Sequence, residues 1–217
     1  MNKILEASIK SLENPGKFDK PLPKTSSTVP PILYVFRHGQ THDNIRRIFS
    51  GRRNSTLTEE GKKQAKILAE KLKDKHIDIA IYPPLSRAKN TLKEVLKFHP
   101  KIRIERDKSL MERDYGKLTG KSKIKLAKKD PVLAAKYRRG YNFPPPNGES
   151  LKDVKEKRIY PFCRKIEERM KKENVNVAIS CTNNTMRLIR MYFEGLSIEE
   201  MQTLENPLAQ DFCSYKI

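Results

Sequence analysis

The sequence predicts an α/β fold of three layers, in which a mainly parallel sheet is covered by helices on both faces. Short apolar runs typical of buried strands recur along the chain, and amphipathic helical patterns lie between them. The chain has 217 residues, which is enough for one domain with a sizeable core. Strands that alternate with helices favour parallel pairing, because a parallel pair needs a long crossover connection.

Five apolar runs are predicted as strands, four of them buried and the fifth at the end of the chain. They are ILYVF (32–36), IDIAIY (77–82), KIRIE (101–105), VNVAIS (175–180) and FCSYKI (212–217).

A first helix is predicted between the first two strands. Ala65, Leu68 and Leu72 recur at the spacing of one helical face, and Glu59 and Glu60 lie where a helix begins. Three further helices are predicted from apolar spacing and capping pairs. They are marked by Leu92, Val95 and Leu96, by Ser150 with Asp153, and by Ser197 with Glu200.

The chain is divided into a polar extension, residues 1–29, and one domain, residues 30–217. The extension contains several prolines, and the folded part is expected to begin at Ile32. The first 20 residues lack the apolar core of a secretory signal, and no apolar stretch approaches the roughly 20 residues needed to cross a bilayer. We therefore expect a cytoplasmic protein that does not associate with membranes.

The chain is strongly basic, with 46 Lys and Arg against 26 Asp and Glu and a net charge of +20. Three explanations are open: a nucleic-acid partner, a small anionic substrate attracted by the protein's field, and a generally lysine-rich composition. The lysines are spread along the chain, and no RNA-binding motif with interleaved aromatic residues is present. Composition therefore explains most of the charge, with substrate attraction as a local contribution and nucleic acid disfavoured.

The three cysteines, Cys163, Cys181 and Cys213, are far apart and form no CxxC pair. This pattern argues against a zinc site and against a disulfide framework.

The stretch NVAISCTNNTMRLI (176–189) carries an apolar strand through small polar residues into a helix that begins near Met186. Free backbone N–H groups point outward at such a helix N-terminus, so this turn is a candidate anion site. None of residues 180–185 is a good acid, base or nucleophile at neutral pH. The chemistry must therefore come from another segment.

Polar side chains follow the other predicted strands as well. RHGQTHDN begins at Arg37 after the first strand, Arg87 follows the second strand, and Glu112 follows the third. Ligands of parallel α/β sheets bind beyond the carboxyl ends of the strands, so these groups are expected to converge. Gly39 is expected where backbone or substrate must come close.

These residue types suit phosphoryl transfer. His38, as a neutral imidazole, can attack phosphorus and form a phosphohistidine. Arg37 and Arg87 can bind phosphoryl oxygens, and Asn44 can donate a further hydrogen bond. Glu112 can protonate the leaving oxygen and later deprotonate the incoming hydroxyl or water. No metal is required for this chemistry.

The motifs RHGQT, FSGR, LTEEG, SRAKNT and MERDYGKLTG resemble the histidine phosphatase superfamily, in particular its phosphoglycerate mutase branch. The resemblance runs from about residue 32 to the C-terminus. It implies a phosphoglycerate mutase-like fold. It also implies an enzyme that interconverts 3- and 2-phosphoglycerate, with 2,3-bisphosphoglycerate as primer and no bound cofactor or metal. By the same resemblance, the substrate-binding residues are Asn44, Ser50, Gly51, Tyr115, Lys123, Arg138, Arg139, Thr182, Asn183 and Asn184.

One position departs from the family pattern. The family reads His-Gly-Asn-Ser-Leu-Arg after its strand, whereas this chain has Thr182 in place of the second catalytic histidine and Asn183 in place of the glycine. Loss of a preorganised charged donor costs about 2.7–4 kcal/mol when oxyanion-hole losses are taken as a guide. A slowed enzyme and a phosphate-binding pseudoenzyme both fit that loss.

Four functions remain open from the sequence. A mutase is favoured, because Lys123, Arg138 and Arg139 match a carboxylate and phosphate clamp. A phosphatase of the same superfamily, acting on small phosphate esters, is the nearest alternative. A pseudoenzyme and a nucleic-acid binder are the others. The expected partner is a small anionic phosphorylated molecule, and a homo-oligomer is compatible with the sequence.

Overall fold

The fold is seen in a computed structural model that describes residues 2–13 and 21–217. A five-stranded sheet forms its centre, in the order β3-β2-β4-β1-β5, and β5 alone runs antiparallel, against β1. The strands are β1 (Ile32–Arg37), β2 (Ile79–Tyr82), β3 (Arg103–Arg106), β4 (Val177–Cys181) and β5 (Cys213–Lys216). The predicted α/β class and the mainly parallel sheet are confirmed.

Helices cover both faces of the sheet. Alternate residues of β1 point to opposite sides: Leu33 and Val35 join one core cluster, and Tyr34 and Phe36 join the other. The first cluster packs against α8 and α9, and the second packs against α3 and α4. These helices are α3 (Glu59–Leu72), α4 (Ser86–Leu96), α8 (Tyr160–Glu173) and α9 (Asn183–Glu194).

The remaining helices are short or peripheral. They are α1 (Asn2–Glu13), α2 (His42–Ile45), α5 (Lys123–Lys129), α6 (Pro131–Arg139), α7 (Leu151–Val154) and α10 (Ile198–Thr203). A π-helical segment, Lys155–Ile159, joins α7 to α8. The capping pairs predicted at Ser150 and Ser197 are both present, because each serine accepts from the backbone N–H three residues on while that residue's carboxylate accepts from the serine N–H.

Two predictions about individual elements are wrong. The third strand is not buried: β3 lies at the edge of the sheet, and Ile104 is 52% exposed. The helix expected near Met186 begins three residues earlier, at Asn183, with Thr182 as its N-cap. The polar residues of that turn therefore belong to the first turn of α9, where they lie at the end of β4.

The folded structure also begins before Ile32. In the extension, Asn2–Glu13 form α1, and Leu22 is buried in the core. Lys24 forms a parallel bridge with Ser214 of β5. Residues 14–20 of the extension lie outside the described part of the chain.

The cysteines are free thiols in the interior, and burial raises the pKa of Cys163, Cys181 and Cys213. Within the described ranges, no group of three or more His, Cys, Asp or Glu side chains is placed to hold a metal ion. No described helix is long and apolar enough to span a bilayer.

Candidate active site

A pocket opens beyond the carboxyl ends of β1 and β4, two neighbouring strands at the centre of the sheet. Its walls contain every predicted site residue except Thr182. They are Arg37, His38, Asn44, Ser50, Gly51, Arg87, Glu112, Tyr115, Lys123, Arg138, Arg139, Asn183 and Asn184. The expected convergence of the strand ends at one edge of the sheet is therefore observed.

The surroundings of His38 favour a neutral imidazole with a defined tautomer. Its backbone N–H donates to the Cys181 carbonyl at 3.0 Å, which continues the pairing of β1 with β4. Its Nδ1 lies 2.7 Å from the Gly39 carbonyl oxygen. A carbonyl only accepts, so Nδ1 carries the proton and Nε2 keeps its lone pair. Burial, and then the charges of Arg87 and Arg37, hold the pKa of His38 well below its usual range.

Backbone contacts hold the two arginines beside His38. The Arg87 guanidinium donates to the carbonyls of Gly51 and Arg53, at 2.9 Å each. Arg37 donates to the Asn206 carbonyl at 2.9 Å, while its buried Nε has no hydrogen-bond partner within the described part of the chain. Burial lowers the pKa of Arg37 to about 10, so the group is still a cation at neutral pH. Both side chains are fixed and charged before a ligand arrives, which suits stabilisation of a phosphoryl group.

Two glycines allow the His38 loop to lie against the start of α3. A Cβ on Gly39 would lie 2.3 Å from the Gly61 carbonyl oxygen, and a Cβ on Gly61 would lie 2.0 Å from the Gln40 carbonyl oxygen. Real Cβ atoms do not come this close to backbone. The crowding expected at Gly39 is therefore real, and its source is the backbone of the LTEEG segment.

Glu112 lies in a hydrogen-bonded group at the pocket wall. Its Oε1 accepts from the Arg113 backbone N–H at 2.7 Å and from Asn184 Nδ2 at 3.0 Å. Asn184 Nδ2 also lies 3.1 Å from the Tyr115 hydroxyl. Asn184 therefore joins a carboxylate from the segment after β3 to the first turn of α9. One carboxylate oxygen is held, and Oε2 accepts no hydrogen bond from the described residues, which leaves it open to proton transfer.

Lys123 and Arg138 are basic side chains that form no ion pair with a carboxylate among the described residues. Lys123 keeps some exposed surface, but its ammonium lies 5.7 Å from the ring centre of the buried Phe49. Burial, with the charges of Arg138 and Arg37, lowers the pKa of Lys123 to about 7. Burial also lowers the pKa of Arg138 to about 10. These charges are available to an anionic ligand.

Arg139 has a different role from Arg138. It is 1% exposed, donates to the carbonyls of Gln202 and Leu204, and pairs with Glu205 at 2.7 Å. Its guanidinium therefore ties α6 to the segment after α10. Of the two arginines predicted to form a clamp, Arg138 is the one whose charge is free for a ligand.

Asn44, Ser50 and Gly51 complete the wall near His38. Asn44 closes a capping box with Thr41, in which the Asn44 side-chain oxygen accepts from the Thr41 N–H at 3.0 Å. The amide NH2 of Asn44 is then the end available to a ligand, in line with the donor role predicted for it.

Thr182 does not line the pocket. It is fully buried, and its hydroxyl lies 3.0 Å from the Thr185 hydroxyl. Thr185 in turn donates to the Leu110 carbonyl at 3.2 Å. The structure therefore places the Thr182 side chain away from the pocket in which a contact with substrate was expected. His42, the histidine nearest to His38 in the sequence, is exposed and does not line the pocket either.

Five further residues line the pocket that the sequence did not predict there. They are Ser11, Leu12, Arg47, Arg187 and Glu205. Arg187 matches the arginine of the family pattern His-Gly-Asn-Ser-Leu-Arg, and this match could have predicted its place in the pocket. Ser11 and Leu12 belong to α1, whose signal was the spacing of Ile4, Leu5 and Leu12. Arg47 and Glu205 carried no sequence signal that set them apart from surface charges.

The pocket is strongly cationic. Seven Lys and Arg side chains and two carboxylates are found among its described lining residues. One of the carboxylates, Glu205, is already paired with Arg139 and Arg187. Burial alone would raise the pKa of Glu205, but the charges of Arg187 and Arg139, with other arginines, lower it to about 2. The remaining excess of positive charge suits a ligand with more than one anionic group.

The chain belongs to the histidine phosphatase superfamily. The family model of the histidine phosphatase superfamily (branch 1) matches residues 33–214. A 2,3-bisphosphoglycerate-dependent phosphoglycerate mutase from Brucella melitensis is 37% identical over 175 residues, which is 78% of this chain and 84% of that protein. A protein of the same description from Mesorhizobium japonicum is 35% identical, over 80% of this chain and 86% of its own length. Members of this superfamily are phosphoryl-transferring enzymes, both mutases and phosphatases.

Solved structures share the fold. The alpha-ribazole phosphatase from Shigella flexneri superposes with a TM-score of 0.73 at 22% identity, covering 85% of this chain and 89% of that one. A mycobacterial glucosyl-3-phosphoglycerate phosphatase also gives 0.73, at 20% identity, covering 84% of this chain and 91% of its own. Similarity at this level of identity concerns the fold alone.

Proposed function

We propose that the protein is a phosphoglycerate mutase that works through phospho-His38, with 2,3-bisphosphoglycerate as primer. The observation that carries this proposal is a pair of basic side chains, Lys123 and Arg138, which line the same pocket as His38 and form no ion pair with any described carboxylate. A simple phosphatase needs charge only around the phosphoryl group. Charges further along the pocket suit a substrate with a carboxylate as well as a phosphate.

The chemistry follows from the geometry at His38. Nε2 attacks phosphorus, and the bond from phosphorus to the ester oxygen breaks as the phosphorus–nitrogen bond forms. Glu112, in its acid form, gives a proton to the departing oxygen. In the reverse direction it accepts the proton of the incoming hydroxyl. Arg37 and Arg87 hold the phosphoryl oxygens throughout.

In the mutase cycle, phospho-His38 transfers its phosphoryl group to the free hydroxyl of 3-phosphoglycerate and forms 2,3-bisphosphoglycerate. The other phosphoryl group of that intermediate then returns to His38, and 2-phosphoglycerate leaves. Atoms and charge balance without a metal or a redox cofactor. The expected setting is the cytoplasm, and the expected partner is the small phosphorylated acid itself.

The second candidate is a phosphatase, in which water takes the phosphoryl group from His38. Two observations favour it: the solved structures with the same fold include phosphatases, and Thr182 stands where mutases have a histidine. The Thr182 hydroxyl faces Thr185 rather than the pocket, so it does not replace a charged donor. If the missing donor is the only defect of the site, Thr182→His should raise the rate of phosphoryl transfer. An unchanged rate would favour a protein that binds phosphate without turnover.

Intact-protein mass spectrometry after mixing with 2,3-bisphosphoglycerate tests the proposal, with His38→Ala as control. A phosphoryl adduct that is stable at alkaline pH and labile in acid is expected on the wild type alone. Discharge to 3-phosphoglycerate then identifies a mutase, and discharge to water identifies a phosphatase. Absence of the adduct, when the ligand demonstrably binds, contradicts both.

The clamp is tested separately by Lys123→Met and Arg138→Ala. Each should damage the conversion of 3-phosphoglycerate far more than the hydrolysis of p-nitrophenyl phosphate, which has no carboxylate. Equal losses on both substrates would argue against the clamp. Arg139→Ala is unsuitable for this test, because it also breaks the ion pair with Glu205.

A further inference from the structure

The N-terminal helix α1 forms one wall of the pocket. It packs against α6 and α10, and its residues Ser11 and Leu12 line the cavity. The family model matches the chain only from residue 33, so this wall lies outside the matched domain. With α1 in place, the pocket is still open to solvent.

Two serines of α1 are committed to the clamp residue Arg138. The Arg138 guanidinium donates to the Ser8 hydroxyl and to the Ser11 hydroxyl, at 2.6 Å each, and to the Ser8 carbonyl. Ser11 also donates to the Ser8 carbonyl at 3.2 Å. Ser8 is 2% exposed and Ser11 is 8% exposed, so these are interior contacts.

The oxygens that hold Arg138 are neutral. They fix the direction of the guanidinium and leave its charge uncompensated, whereas a carboxylate would have cancelled that charge. Arg139, one residue on, shows the other arrangement, because Glu205 pairs with it. The serines of α1 therefore position Arg138 for an anion without competing with that anion for its charge.

The C-terminal end of α1 is anchored at the pocket rim by Arg47. The Arg47 guanidinium donates to the Leu12 carbonyl at 2.8 Å and lies 3.5 Å from the Glu13 carbonyl. These carbonyls are the groups that a helix leaves unpaired at its C-terminus, where a cation is favourable. Arg47 adopts a φ of 53°, an unusual backbone conformation for a bulky residue, directly beside the site. Lys3 pairs with Glu199 of α10 near the opposite end of α1.

We propose that α1 is a fixed wall of the substrate pocket, in which Ser8 and Ser11 are positioning residues for Arg138 and the helix limits the size of the accepted phosphate ester. This inference rests on the proposed phosphoryl transfer at His38. It deepens that proposal by giving α1 two roles at the same site, the positioning of Arg138 and a limit on the size of the phosphate ester. The contrary arrangement is a plug, in which α1 must leave before any ligand can bind.

The size limit is tested in the full chain with Ile9→Pro and its matched control Ile9→Ala. Ile9 is 43% exposed and makes none of the contacts with Arg138, but proline in the interior of a helix breaks it. Ile9→Pro should raise the hydrolysis of 2-naphthyl phosphate relative to phenyl phosphate by roughly tenfold, while Ile9→Ala should leave the ratio unchanged. An unchanged ratio in Ile9→Pro, with circular dichroism showing that α1 is lost, would overturn the size limit.

The positioning role is tested by Ser8→Ala combined with Ser11→Ala. Loss of two hydrogen bonds to Arg138 should raise KM for 3-phosphoglycerate by about tenfold with little change in kcat. The same pair of changes in an Arg138→Ala background should add nothing further. If the serine changes raise KM just as much in the Arg138→Ala protein, the serines do not act through Arg138, and the positioning role is wrong. Glu6→Ala, on the exposed side of α1, is the control.

Hydrogen exchange separates a wall from a plug and needs no turnover. Inorganic phosphate, added to the full chain, should slow amide exchange in residues 5–13 if α1 is a wall. Faster exchange in α1 on binding of phosphate would identify a plug and overturn the proposal. Failure of the mutase proposal would appear differently, as absence of 3-phosphoglycerate conversion with the aryl phosphate selectivity intact.

Discussion

At the scale of single residues, the candidate site separates charge that is fixed from charge that can change. Arg37 and Arg138, with pKa values of about 10, remain cations at any physiological pH. Lys123, with a pKa lowered to about 7, is divided between its two forms in the empty pocket. An anion that binds beside Lys123 favours the charged form, so binding must take up a proton whenever the amine is neutral.

Affinity should therefore fall as the pH rises above 7. Because the free-state pKa of Lys123 is the lower one, the full interaction is present below pH 7. Above it, the interaction weakens by up to about tenfold per pH unit. Calorimetric titration with 3-phosphoglycerate between pH 7.5 and 9 measures this, since the ligand's own phosphate is then already ionised. Lys123→Met should bind more weakly at pH 7 and lose the slope; an equal slope in both proteins would contradict the assignment.

Glu112→Gln should lower turnover in proportion to how much the leaving group needs a proton. Proton transfer by a positioned side chain contributes roughly 10²–10⁴ in rate, so a loss of that order is expected with an alkyl phosphate. With p-nitrophenyl phosphate, whose phenolate is a weak base, the loss should be much smaller. Rates of phosphoenzyme formation from the two substrates, followed by rapid quench, provide the comparison.

Glu205→Gln is the matched control, because Glu205 lines the same pocket but is paired with Arg139 and Arg187. Its effect should not depend on the leaving group. The same dependence in both variants would mean that Glu112 acts through charge alone.

At the scale of elements, the position of His38 depends on the contact between the β1–α2 loop and the first turn of α3. Gly61→Ala should displace this loop, because its Cβ would lie 2.0 Å from the Gln40 carbonyl oxygen. Overpacking of this kind typically costs about 1–3 kcal/mol in the free energy of unfolding. The rate of aryl phosphate hydrolysis should fall by more than the loss of folded protein explains, since the displaced residues adjoin His38. Urea denaturation and aryl phosphate hydrolysis of the same preparation measure the two effects.

Gly195→Ala is a suitable control for the loop. Gly195 ends α9 in the left-handed region, with a φ of 65°, and no atom of the described residues beyond its chain neighbours lies within 4 Å of an added Cβ. That variant should lose stability through backbone strain while its kcat stays near that of the wild type. If both variants lose activity equally, the loop contact has no special role.

The sequence predicted these elements unevenly, and the reason is physical. Buried strands are continuous apolar runs, so β1, β2 and β4 were recognisable. The exposed edge strand β3 was recognisable as a strand but not as an edge. Helix α1 lies in a polar segment rich in proline, and its contacts with Arg138 are serine hydroxyls that no periodicity distinguishes from solvated ones. Direct contacts made after folding, such as those of Arg47 and Glu205, leave no local pattern at all.

At the scale of the whole molecule, the pocket accounts for only part of the positive charge. Its seven cations and two carboxylates contribute a net five of the +20 that the sequence carries. The rest is distributed over the protein, where it contributes to the long-range field but cannot select a ligand. Substrate attraction and polyanion binding are therefore separable, because they depend on different parts of this charge.

We expect kcat/KM for 3-phosphoglycerate to fall smoothly as sodium chloride rises from 20 to 200 mM, because the field that attracts a small anion is screened over about 10 Å at 0.1 M salt. Duplex DNA would respond more steeply, since six to ten phosphate contacts cost roughly 10³–10⁵ in affinity between 50 and 200 mM salt. Anisotropy of a labelled 20-base-pair duplex at 20 mM salt should show no binding that 3-phosphoglycerate displaces. The contrary result is DNA that competes with 3-phosphoglycerate in the wild type but not in Arg138→Ala. That result would show that the polyanion binds in the pocket, and it would favour a nucleic-acid function over the mutase.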